Sequence, residues 1–139
     1  MELPFKDNTP VLFSYETNGY PRVLWMTLFY SATANAYVMA TGVDSNKWDA
    51  LDINQNITVN YGSLWRVKNM YRINAEVQKL SRQDYADVYE ELFKKHPIAF
   101  RHFFQNVDND NYGVFMLDFK HICRYNKNYV CIPLTVELK

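Results

Sequence analysis

The chain has 139 residues, 48% hydrophobic and 17% aromatic, a composition that excludes a disordered polypeptide and suffices for one packed domain over 1–139. Fifteen Lys and Arg side chains balance fifteen Asp and Glu, so no net field favours nucleic acid or another polyanion as a partner. No 18-residue apolar stretch exists, and the opening MELPFKDNTP lacks the basic start and apolar centre of a signal peptide. A cytoplasmic protein with no membrane partner is expected. Cys123 and Cys131 stand eight apart, match no zinc spacing, and are expected as strand residues with reduced thiols. His96, His102 and His121 are scattered, so no metal site is expected.

Residues 10–17, PVLFSYET, alternate with Val11, Phe13 and Tyr15 on one face, which predicts a strand. Asn18-Gly19 predicts a tight hairpin turn, and RVLWMTLFY returns as a second strand. A third strand covers about Ala36 to Ala40. WDALDINQN fits a short helix, and ITVNYG a fourth strand. In VKNMYRINAEVQKL, residues 67–80, Val67, Tyr71, Ile73, Ala75 and Val77 share one face, with Arg72, Asn74, Glu76 and Gln78 on the other. Asn69 alone breaks the apolar face, and its amide wants a partner, either backbone or ligand. From Ser81, an imperfect capping residue, Tyr85, Val88, Tyr89, Leu92 and Phe93 predict a helix that Pro97 ends. IAFRHFFQNV adds a second short helix, giving a helical insert over about 81–107. VFMLDFKHICR and YVCIPLTVEL close the chain as a hairpin. Antiparallel neighbours and short turns favour a mainly β, Greek-key-like antiparallel barrel with an α insert over a doubly wound sheet.

The stretch MATGVDSNKWDA, residues 39–50, joins a strand to a helix through Thr41-Gly42, with Asp44 and Ser45 as candidate caps. One reading is a capped helix beside a solvated Lys47. The other is a phosphate-holding joint, where hydroxyls, free N–H groups and an ammonium gather at the positive end of a helix dipole. No Gly-rich phosphate loop and no nucleophile elbow compete with it.

This order of elements, with GYPRVLWM, the T-x-x-x-S-x-K spacing of Thr41, Ser45 and Lys47, and the later strand near Asn69 to Ala75, resembles the FMN-binding split-barrel family of pyridoxamine 5′-phosphate oxidase. The resemblance implies FMN as cofactor, with its phosphate at Thr41, Ser45, Asn46 and Lys47. It places the second-strand residues Trp25 and Met26 and the amide of Asn69 beside the isoalloxazine, and implies a homodimer with the cofactor between subunits. Asn46 stands where the oxidase has a basic residue. Leu24-Trp25-Met26-Thr27 lacks the oxidase's arginine, and Arg22 lies earlier. NYVCIPLTVELK has no counterpart of the substrate-binding arginine motif, so vitamin B6 oxidation is not expected.

The function implied is a flavin-dependent oxidoreductase acting on a small molecule, in which the flavin carries the chemistry; no side chain stands out as a catalytic acid, base or nucleophile. The alternative is a non-catalytic module of the same fold that holds FMN, another phosphate-bearing cofactor or haem, with His102 and His121 as candidate axial ligands. A third is a split barrel retained only as a structural dimer.

Overall fold

β1 (Thr9–Thr17) and β2 (Tyr20–Ser31) form a long antiparallel hairpin, in register from Thr9↔Leu28 to Thr17↔Tyr20. Its turn places Asn18 and Gly19 at φ 54° and 82°, the left-handed pair that a two-residue hairpin connection requires. The structure, a computed structural model, describes residues 7–62, 70–128 and 130–134. Asn69 and Val67 lie outside the described residues.

β3 (Ala36–Gly42) follows, then α1 (Asn46–Ile53), β4 (Asn56–Tyr61) and β5 (Tyr71–Leu80). Two helices, α2 (Ala86–Lys95) and α3 (Pro97–Phe104), precede β6 (Tyr112–Tyr125) and β7 (Cys131–Leu134). The strands run β3-β2-β1-β4-β5-β6-β7, and β3 also pairs with β6, so six antiparallel strands close into a barrel with β7 added outside it. Closure removes the open edges that make a flat sheet prone to association.

The alternating strands turn Val11, Phe13, Val59, Ile73, Ala75 and Val77 inward, while Arg72, Asn74 and Glu76 face solvent, as their period of two dictates. β3 and β6 behave differently because they are covered on both faces. Met39 and Phe115 point into the barrel, whereas Val38 and Val114 pack outward under α2 and α3 with Leu92, Phe100 and Tyr112. Strands buried on both sides read as unbroken apolar runs, which is what AYVMA and VFML are.

Two local expectations are corrected. Ser81 caps a turn rather than the helix: its hydroxyl accepts from Asp84 N–H at 3.2 Å, and α2 begins only after Tyr85, without a side-chain cap. The cysteines are not reduced. Cys123 on β6 and Cys131 at the start of β7 form a disulfide, their Cα atoms 5.5 Å apart. The tight β6–β7 hairpin brings the two positions within bonding reach despite their offset register, Tyr125 lying opposite Cys131. With this pairing the cysteine part of the argument for a cytoplasmic location falls away. Among the described residues no helix is long and apolar enough to cross a membrane.

Candidate functional site

β2 and β3 pair only at Phe29↔Val38, Tyr30↔Tyr37 and Ser31↔Ala36 and then diverge, β3 continuing along β6 while β2 continues along β1. Their divergence splits the wall and opens a cleft. Tyr30 directs its N–H to Asp7 Oδ1 at 2.9 Å and its carbonyl to Lys95 Nζ at 2.9 Å, on the β1 side. Strand alternation therefore turns the main-chain groups of Trp25 and Thr27 the other way, toward the cleft.

A cavity of about 430 Å³ occupies this cleft. One wall is β2 from Leu24 to Thr27, another is the end of β3 from Ala40 to Gly42, and α3 roofs it with Ala99, Phe100, Phe103 and Phe104. Lys47 and Asn111 complete the polar end. Four of the residues singled out from sequence, Trp25, Met26, Thr41 and Lys47, thus border one cavity. Ser45 and Asn46 occupy the adjoining turn but do not line it, Asn46 being exposed.

The turn is built around Ser45. Its hydroxyl donates to the Gly42 carbonyl at 2.8 Å and accepts from Trp48 N–H at 3.2 Å, so it serves as the N-cap of α1. A cap so occupied has little left for a ligand. Gly42 leaves room for two side-chain ends, since a Cβ there would stand 2.8 Å from Asp44 Oδ1 and 3.0 Å from Asn111 Nδ2 and would displace them.

Lys47 is only 9% exposed, which contradicts the solvated-lysine reading of the sequence. Burial drives its pKa below the ordinary lysine value. It makes no hydrogen bond or ion pair with the described residues, and neither does the hydroxyl of buried Thr41. Among the described residues no fully enclosed side-chain nitrogen or oxygen lacks a partner, so neither polar atom is sealed off, and both residues line the cavity. An ammonium held in a largely apolar cavity without a carboxylate is a costly arrangement that an entering anion would relieve. Thr41 and Lys47 therefore fit the phosphate of a nucleotide-type cofactor, and the α1 N-terminus adds favourable field there. The apolar lining, which includes Trp25, Met26, Phe100 and Phe103, fits an apolar planar group.

Sequence reasoning missed Asn111 and the aromatic roof of α3. Asn111 lies almost seventy residues from the turn it joins, and only the β3–β6 pairing brings it there. Of the α3 aromatics that border the cavity, Phe100 and Phe104 also pack in the outer core. His102 and His121, the candidate haem ligands, are exposed and do not border the cavity. His121 instead lines a more open polar groove with Ser14, Thr58 and Asn74.

No family model and no curated protein matches the chain. Solved structures do. A Clostridium acetobutylicum protein related to general stress protein 26, of the pyridoxine phosphate oxidase family, aligns at TM-score 0.67 with 14% identity over 92% of this chain and 86% of that one. The haem storage protein HutZ from Vibrio cholerae aligns at 0.65 with 9% identity, covering 84% and 86%. An FAD-binding protein from Mesorhizobium loti aligns at 0.57 with 10% identity, covering 83% of each chain. At such identities the likeness concerns the fold: the chain has the split-barrel fold of pyridoxamine 5′-phosphate oxidase-like proteins.

Proposed function

We propose that the protein is a flavoprotein that holds FMN in the β2–β3 cleft, with the phosphate on Thr41 and Lys47 and the ring toward Trp25, Met26 and the α3 aromatics. The observation that carries this reading is the buried Lys47 side chain, whose ammonium has no partner among the described residues, bordering a largely apolar cavity. Proteins of this fold include flavin binders and haem binders, and the polar end here offers an ammonium and a hydroxyl with no histidine among the described lining residues. That chemistry suits a phosphate better than a haem iron. FMN would supply electron transfer between a reduced donor and a small oxidant. The chain's own residues bind and orient it, and the α3 roof excludes water from its ring.

The working form in this proposal is a homodimer. The outer face of β2 leaves Trp25 67% and Val23 60% exposed beside the cleft, an apolar surface that a second copy would cover. Asn69, by resemblance an amide beside the ring, belongs to the same proposal. The test is the absorption spectrum of the purified protein supplied with FMN. Flavin bands near one per chain are expected; a Soret band with no flavin retained would overturn the reading.

A further inference from the structure

Among the described residues the cavity carries one cation, where the split-barrel resemblance implies more: Asn46 is exposed, and Leu24 to Thr27 bring no arginine. A different residue stands in that gap. The main-chain carbonyl of Asn111 accepts from Val43 N–H at 2.9 Å, and its side-chain Oδ1 accepts from Asp44 N–H at 3.0 Å. Because Asp44 N–H can only donate, the oxygen of the amide must face it, and the orientation of the amide is fixed by its partner. The nitrogen Nδ2 is then left over Gly42, 3.0 Å from where a Cβ on that glycine would stand. It donates to none of the described residues, and Asn111 borders the same cavity as Thr41 and Lys47.

The loop that presents Asn111 is held rigidly. The Arg82 guanidinium donates to the carbonyls of Val107, Asn109 and Tyr112 and lies over the rings of Tyr89 and Tyr112. Asn109 donates through Nδ2 to the Phe104 carbonyl at 2.7 Å and accepts from Asn111 N–H at 2.9 Å. A donor whose loop and rotamer are both fixed before a ligand arrives binds without an ordering cost.

We infer that Asn111 is a third ligand-binding residue of the cleft, donating from Nδ2 to a phosphate monoester held also by Thr41 and Lys47. This rests on the proposed FMN reading and extends it with a neutral amide in place of a second basic side chain. Among the described residues the site then recognises a phosphate with the one positive charge of Lys47, and its selectivity depends on the direction of one amide.

Asn111→Asp separates the two roles of the residue. The aspartate keeps an oxygen for Asp44 N–H but replaces the donor with an anionic oxygen. Full-length apoprotein would be titrated with FMN and with riboflavin, which lacks the phosphate. FMN affinity is expected to fall at least ~10-fold, with riboflavin affinity changed less than ~2-fold. In the wild-type protein, the two Nδ2 proton signals of Asn111, assigned by through-bond correlation to its own side chain and backbone, should shift on adding FMN or inorganic phosphate and stay unmoved by riboflavin. Wild-type-like FMN binding by Asn111→Asp would overturn the inference while leaving Lys47→Met free to support the FMN reading. If neither variant separates FMN from riboflavin, the FMN reading itself fails. Should Asn111→Asp not fold, unshifted wild-type amide signals in saturating FMN would overturn the inference by themselves.

Discussion

Ser45 Oγ donates to the Gly42 carbonyl at 2.8 Å and so ties the last residue of β3 to the first turn of α1. The same oxygen accepts from Trp48 N–H at 3.2 Å, which makes Ser45 a structural cap more than a ligand. Ser45→Ala should cost about 1 kcal/mol of stability by urea denaturation. Its loss of FMN affinity should be smaller than that of Lys47→Met.

Lys47 opposes its own fold until an anion arrives. Burial lowers its pKa from 10.5, so between the lowered value and 10.5 the native state binds fewer protons than the unfolded chain. Stability from this group is therefore complete above pH 10.5 and is lost as pH falls through the lowered value. Lys47→Met should melt higher than wild type at neutral pH without ligand, and the difference should shrink toward pH 10.5. Thermal melts of both apoproteins across that range check it; a destabilised variant would show that Lys47 has a partner in the apoprotein.

The strands were legible because period-two alternation is local. Val11, Phe13, Ile73 and Val77 announced their inward faces, and Asn18-Gly19 announced its turn. The cleft was half legible: Thr41 and Lys47 lie six apart and read as a joint, but a lysine in a first helical turn reads as solvated. Its burial is a product of tertiary packing, which the local sequence does not record. Asn111 was invisible for the same reason. The disulfide was missed because Cys123 and Cys131 meet only through the pairing of β6 with β7.

Asp7 staples the chain ahead of β1 to the far end of α2. Burial alone would raise its pKa, but the Tyr30 N–H bond and the charges of Lys95 and His96 more than offset this and hold it below 3.8. The native state thus binds fewer protons, and the stabilisation is present above 3.8 and lost as pH falls through the lowered value. Asp7→Asn should melt lower than wild type at neutral pH, the gap closing in acid. A gap independent of pH would show that the charge of Asp7 is not what stabilises the fold.

The disulfide closes a loop between residues only eight apart, so Cys131→Ser should cost no more than about 3 kcal/mol. Among the described residues β7 pairs with β6 alone, which confines the damage. Hydrogen exchange should quicken at Ile132 and Leu134 while Ile73 and Val59 in the barrel stay protected. Loss of protection in the barrel would make β7 part of the cooperative core.

In the proposed function the cleft holds FMN by its phosphate, and Lys47 is the cation that does so. Titrating wild-type and Lys47→Met apoprotein with FMN and riboflavin in parallel tests it most directly. A charge-assisted hydrogen bond contributes about 1.5–3 kcal/mol, so the variant should bind FMN roughly 10- to 150-fold more weakly with riboflavin nearly unchanged. Equal losses for the two flavins, or no loss for either, would contradict the account.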